Sequence, residues 1–233
     1  MVRDHMPHKA EGRREPKPWA AGLLKLSIIL FAMIPFYFFM GGFFTPSMAT
    51  GAARGIGVCM PDVLLVLLVL TVVALGSLGG GLRGFHERGW LGLAGGGLIA
   101  AAMSLILFDA SEGRGCDVTL FKVALLMAAL GFMLLGLSLF RLGVLLLSPF
   151  LIAGGLMMTV PFLVAFIPAV YDGFAKAPGH PLAAIAGLLL SSTNIAATGF
   201  LMFLWDSLGL VFSYTGLTRL RRRRVLVKVV GKE

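Results

Sequence analysis

Long apolar runs separated by short polar breaks set the pattern of this chain. A hydrocarbon core about 30 Å thick is crossed by roughly 20 helical residues, and six runs meet or approach that length. The pattern predicts spans at about 22–40, 63–80, 90–108, 118–140, 144–170 and 182–205. The breaker-rich stretch GGFFTPSMATGAARGIGVCMP follows the first span and can loop or dip back into the slab. LRGFHERG separates the second from the third, and DASEGRGCD the third from the fourth.

Residues 118–170 are nearly unbroken and too long for one crossing. Arg141 is the charged residue well inside them and Gly143 lies close by, so a tight turn is expected there. The fifth span carries Pro149, Pro161 and Pro168, which favour a kink or a tilt. The sixth is expected to end near Trp205 and to continue to Gly216 as an interfacial extension. Helices are the physical default, because every backbone amide needs a partner inside lipid. The ten-residue alternation of a membrane β-barrel is not seen. The expectation is an all-α membrane protein: a six-span helix bundle forming one transmembrane domain over 22–217. A polar basic tail (1–21) precedes it and a second basic tail (218–233) follows.

Composition agrees. Charged residues make up 13% of the 233 and hydrophobic ones 58%, with mean hydropathy +0.93; a soluble domain carries about 25% charged residues. The first apolar run is long enough to span and lacks a clear small-residue cleavage site, so Leu23 to Met40 is expected to be a retained helix.

Charge placement then predicts the threading. With the amino terminus cytoplasmic, Arg54, Arg114, Lys122 and Lys176 fall on the opposite side and the other sixteen of the 20 Lys and Arg residues on the cytoplasmic side. That asymmetry follows the positive-inside rule and puts both termini in the cytoplasm. The setting is a plasma membrane or an organellar inner membrane.

The arginine run Arg219, Arg221, Arg222, Arg223 and Arg224 has a sufficient explanation in this threading. It ends the last span and attracts anionic headgroups or an acidic partner subunit. Nucleic acid is not expected as a partner, because no aromatic platform or recognition module accompanies the charges. The following VLVKVV is compatible with a short strand against a partner.

Candidate chemistry is sparse. His5, His8, His86 and His180 all lie outside the predicted spans, which excludes haem ligation within the membrane by paired histidines. The twelve methionines suit packing. His180 with Asp172 has the residue types for a shared interface metal site, but a solvated loop explains them. No cofactor is expected of this chain alone, and structural lipids are. Cys59 and Cys116 both fall on the outer side, where an oxidising exterior allows a disulfide between the second and fourth spans.

Asp62, Asp109, Lys122 and Arg141 are expected to mark helix ends, with Lys122 snorkelling outward. Asp206 is expected at the inner headgroup level, hydrated; a shift of the sixth helix would instead bury it and require a partner such as Arg141. The most polar patch within a span is Ser191-Ser192-Thr193-Asn194 with Thr198. Asn194 must face another helix or a wet cavity, since an unpaired amide is costly in lipid. Serine and threonine can bond to preceding carbonyls of their own helix.

Gly76, Gly80 and Gly84 form one small-residue row and Gly92 with Gly96 another, a spacing that clears a flat face for close helix packing. Ile34-Pro35-Phe36 echoes Val160-Pro161-Phe162, a similarity within the reach of chance between Leu- and Phe-rich helices. Neither a Walker lysine nor an HExxH or serine elbow is present. These readings favour a structural or accessory subunit of a larger membrane complex over catalysis. The alternative is a small transporter or channel for an uncharged or lipid-like solute, opposed by the scarcity of ionisable groups inside the spans.

Overall fold

The computed structural model of the chain describes residues 17–37, 61–85, 89–111, 118–160, 163 and 195–230. The described part is all-helical, without strands. Six helices follow in order: α1 (Ala20–Phe31), α2 (Pro61–Gly84), α3 (Trp90–Ser111), α4 (Val118–Leu145), α5 (Pro149–Met157) and α6 (Ile195–Val230). α1 passes through a turn at Ala32 and is helical again to Tyr37. Four helices are long and apolar enough to cross a membrane: Ala20–Tyr37, Pro61–Gly84, Trp90–Ser111 and Val123–Leu145. The chain is therefore read as an integral membrane protein.

Each helix packs against the next in sequence, and α6 also packs against α1, which closes the row into a ring. The Phe31 and Phe132 rings meet edge-on inside it, with centroids 6.4 Å apart, and join α1 to α4. On α2, Val63, Leu65, Val66, Val69, Val72 and Val73 are exposed. An apolar outer surface is what a lipid-facing helix requires.

Glycine contacts set the helix spacing. A Cβ on Gly95 would meet the Gly131 carbonyl oxygen at 2.5 Å and the Leu135 amide at 2.8 Å. Bare backbones of α3 and α4 therefore touch. Adjacent glycines make α5 thin on two sides: Gly155 lies against Gly136 and Phe140 of α4, and Gly154 against Gly209 and Ser213 of α6. Of the small-residue row on α2, Gly84 faces Ala20 and Gly80 faces Leu23 of α1, whereas Gly76 meets nothing within 4 Å. Dispersion between closely approaching backbones holds such interfaces, because lipid supplies no hydrophobic drive between helices.

The turn between α4 and α5 departs from its expected place. Instead of stopping at Phe140, the helix runs through Arg141 and Gly143 to Leu145. Leu147 then adopts a left-handed conformation (φ 51°). The Ser148 amide donates to the Gly143 carbonyl (2.9 Å) and the Leu147 amide to the Val144 carbonyl (3.2 Å), the double closure of a Schellman motif. Pro149 opens α5 at its first position, where its missing N–H is no loss. A single arginine near a helix end does not stop a helix; the carbonyl closure and the proline do.

Two further corrections concern α6. Residues 206–217 are not an interfacial extension, because Asp206, Gly209, Leu210, Ser213, Gly216 and Leu217 form a buried face within the bundle. Val225–Val230 is helical, not a strand. Once a helix is nucleated, each added residue gains a hydrogen bond, which outweighs the strand preference of valine in so short a run.

A polar site on the sixth helix

The antiparallel course of the helices collects the described basic residues other than Lys122 at one end of the bundle. Lys17, at the entry to α1, donates its amide to the Gly84 carbonyl at the end of α2 (3.0 Å). Arg83 lies in the last turn of α2, and Arg141 is exposed near the end of α4. Arg219 lies on α6 at the same end, its guanidinium 4.1 Å from the Phe150 ring centroid. Lys17 lies over Trp19 and Lys25 over Tyr214, at 5.5 Å and 5.2 Å. Cations seated on aromatic rings suit an interface layer, where one face is apolar and the other wet.

α6 runs antiparallel to α1, as two contacts show. Lys25 lies beside Tyr214, and Phe36 meets Phe203 at 6.0 Å. Both helices advance by the same number of residues between these contacts, so Asp206 is level with Met33 and Ile34 of α1. The contacts of Ala20 with Gly84 and of Leu24 with Gly81 carry that level to about Thr71, near the middle of the 24-residue α2. Asp206 therefore lies about 20 Å along the helix from Arg219 at the basic end, given a rise of 1.5 Å per residue.

At this depth Asp206 is fully buried, and neither carboxylate oxygen has a hydrogen-bond partner among the described residues. The expectation of a hydrated carboxylate at the headgroup level is thus corrected. Arg141, the partner foreseen for a buried Asp206, is exposed on α4 and does not bond it. The reason is register. Glycine contacts with α5, which place Gly209 beside Met158 and Gly216 beside Leu151, hold α6 farther from the basic end than the sequence suggested.

Two more buried side chains, Ser27 on α1 and Ser213 on α6, have hydroxyls without a partner among the described residues. They lie at one level, between Asp206 and the basic end. Most other helix hydroxyls follow the expected rule and bond to carbonyls of their own helix: Thr71 to Leu67 (2.7 Å), Ser77 to Val73 (2.8 Å) and Thr215 to Val211 (2.9 Å). Ser27 and Ser213 depart from it, and sequence reasoning overlooked them. Ser213 follows Asp206 by two helical turns, so the i, i+7 spacing was the clue.

Among the other predicted residues, Thr198 lies in the first turn of α6, and Arg221, Arg222, Arg223 and Arg224 continue the same helix. Asn194, Ser191, Cys59 and Cys116 lie outside the described residues, as does the 41–60 stretch. Asp109 is buried in the last turn of α3, and Asp62 occupies the first turn of α2, where a carboxylate favours the helix dipole. Among the described residues no group of three or more His, Cys, Asp or Glu side chains is arranged to hold a metal. No family model, curated protein or solved structure matches the chain.

Proposed function

We propose that the chain is a six-span transporter for a small uncharged or lipid-like solute, with both ends on the cytoplasmic face. In this reading α5 and α6 belong to the fifth and sixth crossings. Asp206 carries the proposal. A carboxyl enclosed at mid-depth is beyond the reach of a docking subunit, and ionisable groups kept inside a membrane bundle characteristically mark a pathway. The main objection to transport, the lack of ionisable groups inside the spans, loses force once Asp206 is inside. The basic end supports the orientation through the positive-inside rule.

Reconstitution tests this. Purified protein in vesicles should speed either glycerol permeation, followed by light scattering, or the transbilayer movement of a headgroup-labelled phosphatidylcholine, followed by quenching from outside. Failure of a monodisperse preparation to move either probe counts against the reading.

An accessory subunit of a larger membrane complex is the second proposal. It is favoured by the course of α6, which stays helical to Val230, well past Arg219. That basic rod is suited to an acidic partner or to anionic headgroups. A stoichiometric partner recovered from mild detergent, and lost when Arg221, Arg222, Arg223 and Arg224 are replaced by glutamine, is its expected result. In both readings a disulfide between Cys59 and Cys116 would tie the segment before α2 to the segment before α4.

A further inference from the structure

We propose that Asp206 is a proton-binding site, so that the solute movement inferred above is coupled to protons. Three observations converge. The carboxyl is fully buried, both oxygens are without a partner among the described residues, and its level is the middle of the bundle. An ionised carboxylate is not tolerated in apolar surroundings without a compensating charge. No described residue supplies that charge, so the site calls for a bound cation, a proton or a metal.

The surrounding chemistry selects the proton. Hard metal cations take six or more oxygen ligands, and no such set is gathered among the described residues. No metal-holding group of acidic, His or Cys side chains occurs among the described residues. A proton needs one carboxylate oxygen and leaves the site neutral.

The elements packed against α6 offer few competing charges. α5 (Pro149–Met157) contains no titratable residue. α1 contributes the buried Tyr37 hydroxyl about one turn farther from the basic end than Met33, and Lys25, which lies over Tyr214 near the basic end. α4 contributes the exposed Arg141 toward the basic end and Lys122 near its start. On α6 itself the nearest titratable groups are Tyr214 and Arg219, both beyond Ser213. Ser27 and Ser213 continue the line toward the basic end with hydroxyls able to hold relay water. Proton binding at Asp206 rests on its burial, its depth and its oxygens' lack of a partner among the described residues; coupling to flux rests on the transport reading.

The test uses the full-length protein in phosphatidylcholine vesicles. Dicyclohexylcarbodiimide, an apolar reagent, adds to protonated carboxyl groups: the acid proton moves to nitrogen and the carboxylate oxygen attacks the central carbon. Mass spectrometry should locate the adduct at Asp206. Labelling should fall as pH rises, vanish in Asp206→Asn and persist in Asp206→Glu. A wild-type protein that resists the reagent at Asp206 over the whole pH range overturns the site, whether or not the variants fold.

A pH-sensitive dye inside the vesicles separates the two claims. Solute-driven proton uptake that is lost in Asp206→Asn supports coupling. Labelling without any solute or proton movement keeps the site and removes the transport reading. Solute movement that ignores the proton gradient, from protein unlabelled at Asp206, keeps transport and removes the site.

Discussion

Leu147 and Asp206 are both single residues held against their local preference, for different reasons. Leu147 adopts φ 51° so that two carbonyls at the end of α4 are capped before Pro149. Left-handed backbone costs a residue with a Cβ about 1–2 kcal/mol. Its side chain is 74% exposed, so little packing is at stake. Leu147→Gly should therefore raise stability by about 1 kcal/mol, read as a higher unfolding midpoint in detergent. An unchanged or lower midpoint would show that the leucine contributes more than its strain removes. Asp206 has no local remedy of that kind. Its burden comes from burial, and no described residue relieves it.

At the scale of elements, glycine contacts decide which helices touch. Gly155→Ala would put a Cβ 2.5 Å from the Gly136 carbonyl oxygen and 2.6 Å from the Phe140 amide, and backbone cannot move aside as a flexible side chain can. Forcing α4 and α5 apart should cost about 1–3 kcal/mol. Gly97 provides the contrast. It lies inside α3 with nothing within 4 Å of a new Cβ, so Gly97→Ala should gain up to roughly 1 kcal/mol from helix propensity alone. Thermal unfolding of the two variants in the same detergent checks both. Equal effects would mean that the α4–α5 interface is loosely held. The sequence pointed to glycine spacing as a packing device, yet it put Gly76 on the packed row, where the structure leaves it open.

For the whole molecule, topology and the cysteine pair give the decisive measurements. Tags at the two ends should be accessible from the same side of sealed vesicles, the cytoplasmic one. Tags on opposite sides would remove the six-span reading. Thiol labelling of Cys59 and Cys116 should require prior reduction if they are bridged; full labelling without reductant would rule the bridge out. A disulfide needs Cα atoms within about 7 Å. α2 and α4 both begin at the end away from the basic residues, with α3 packed against each.

Helix existence, membrane character and the gathering of basic charge were legible from the chain alone. They depend on composition and run length, which are summed over many residues and tolerate errors of register. The end of α4 was not legible, because a carbonyl cap and a proline outweighed the charge at Arg141. The depth of Asp206 was not legible either. Helical periodicity assigns a residue to a face, but its height and its neighbours depend on how adjacent helices slide. Here glycine-to-backbone contacts fixed that slide, holding α6 away from the basic end and leaving a carboxyl in the interior.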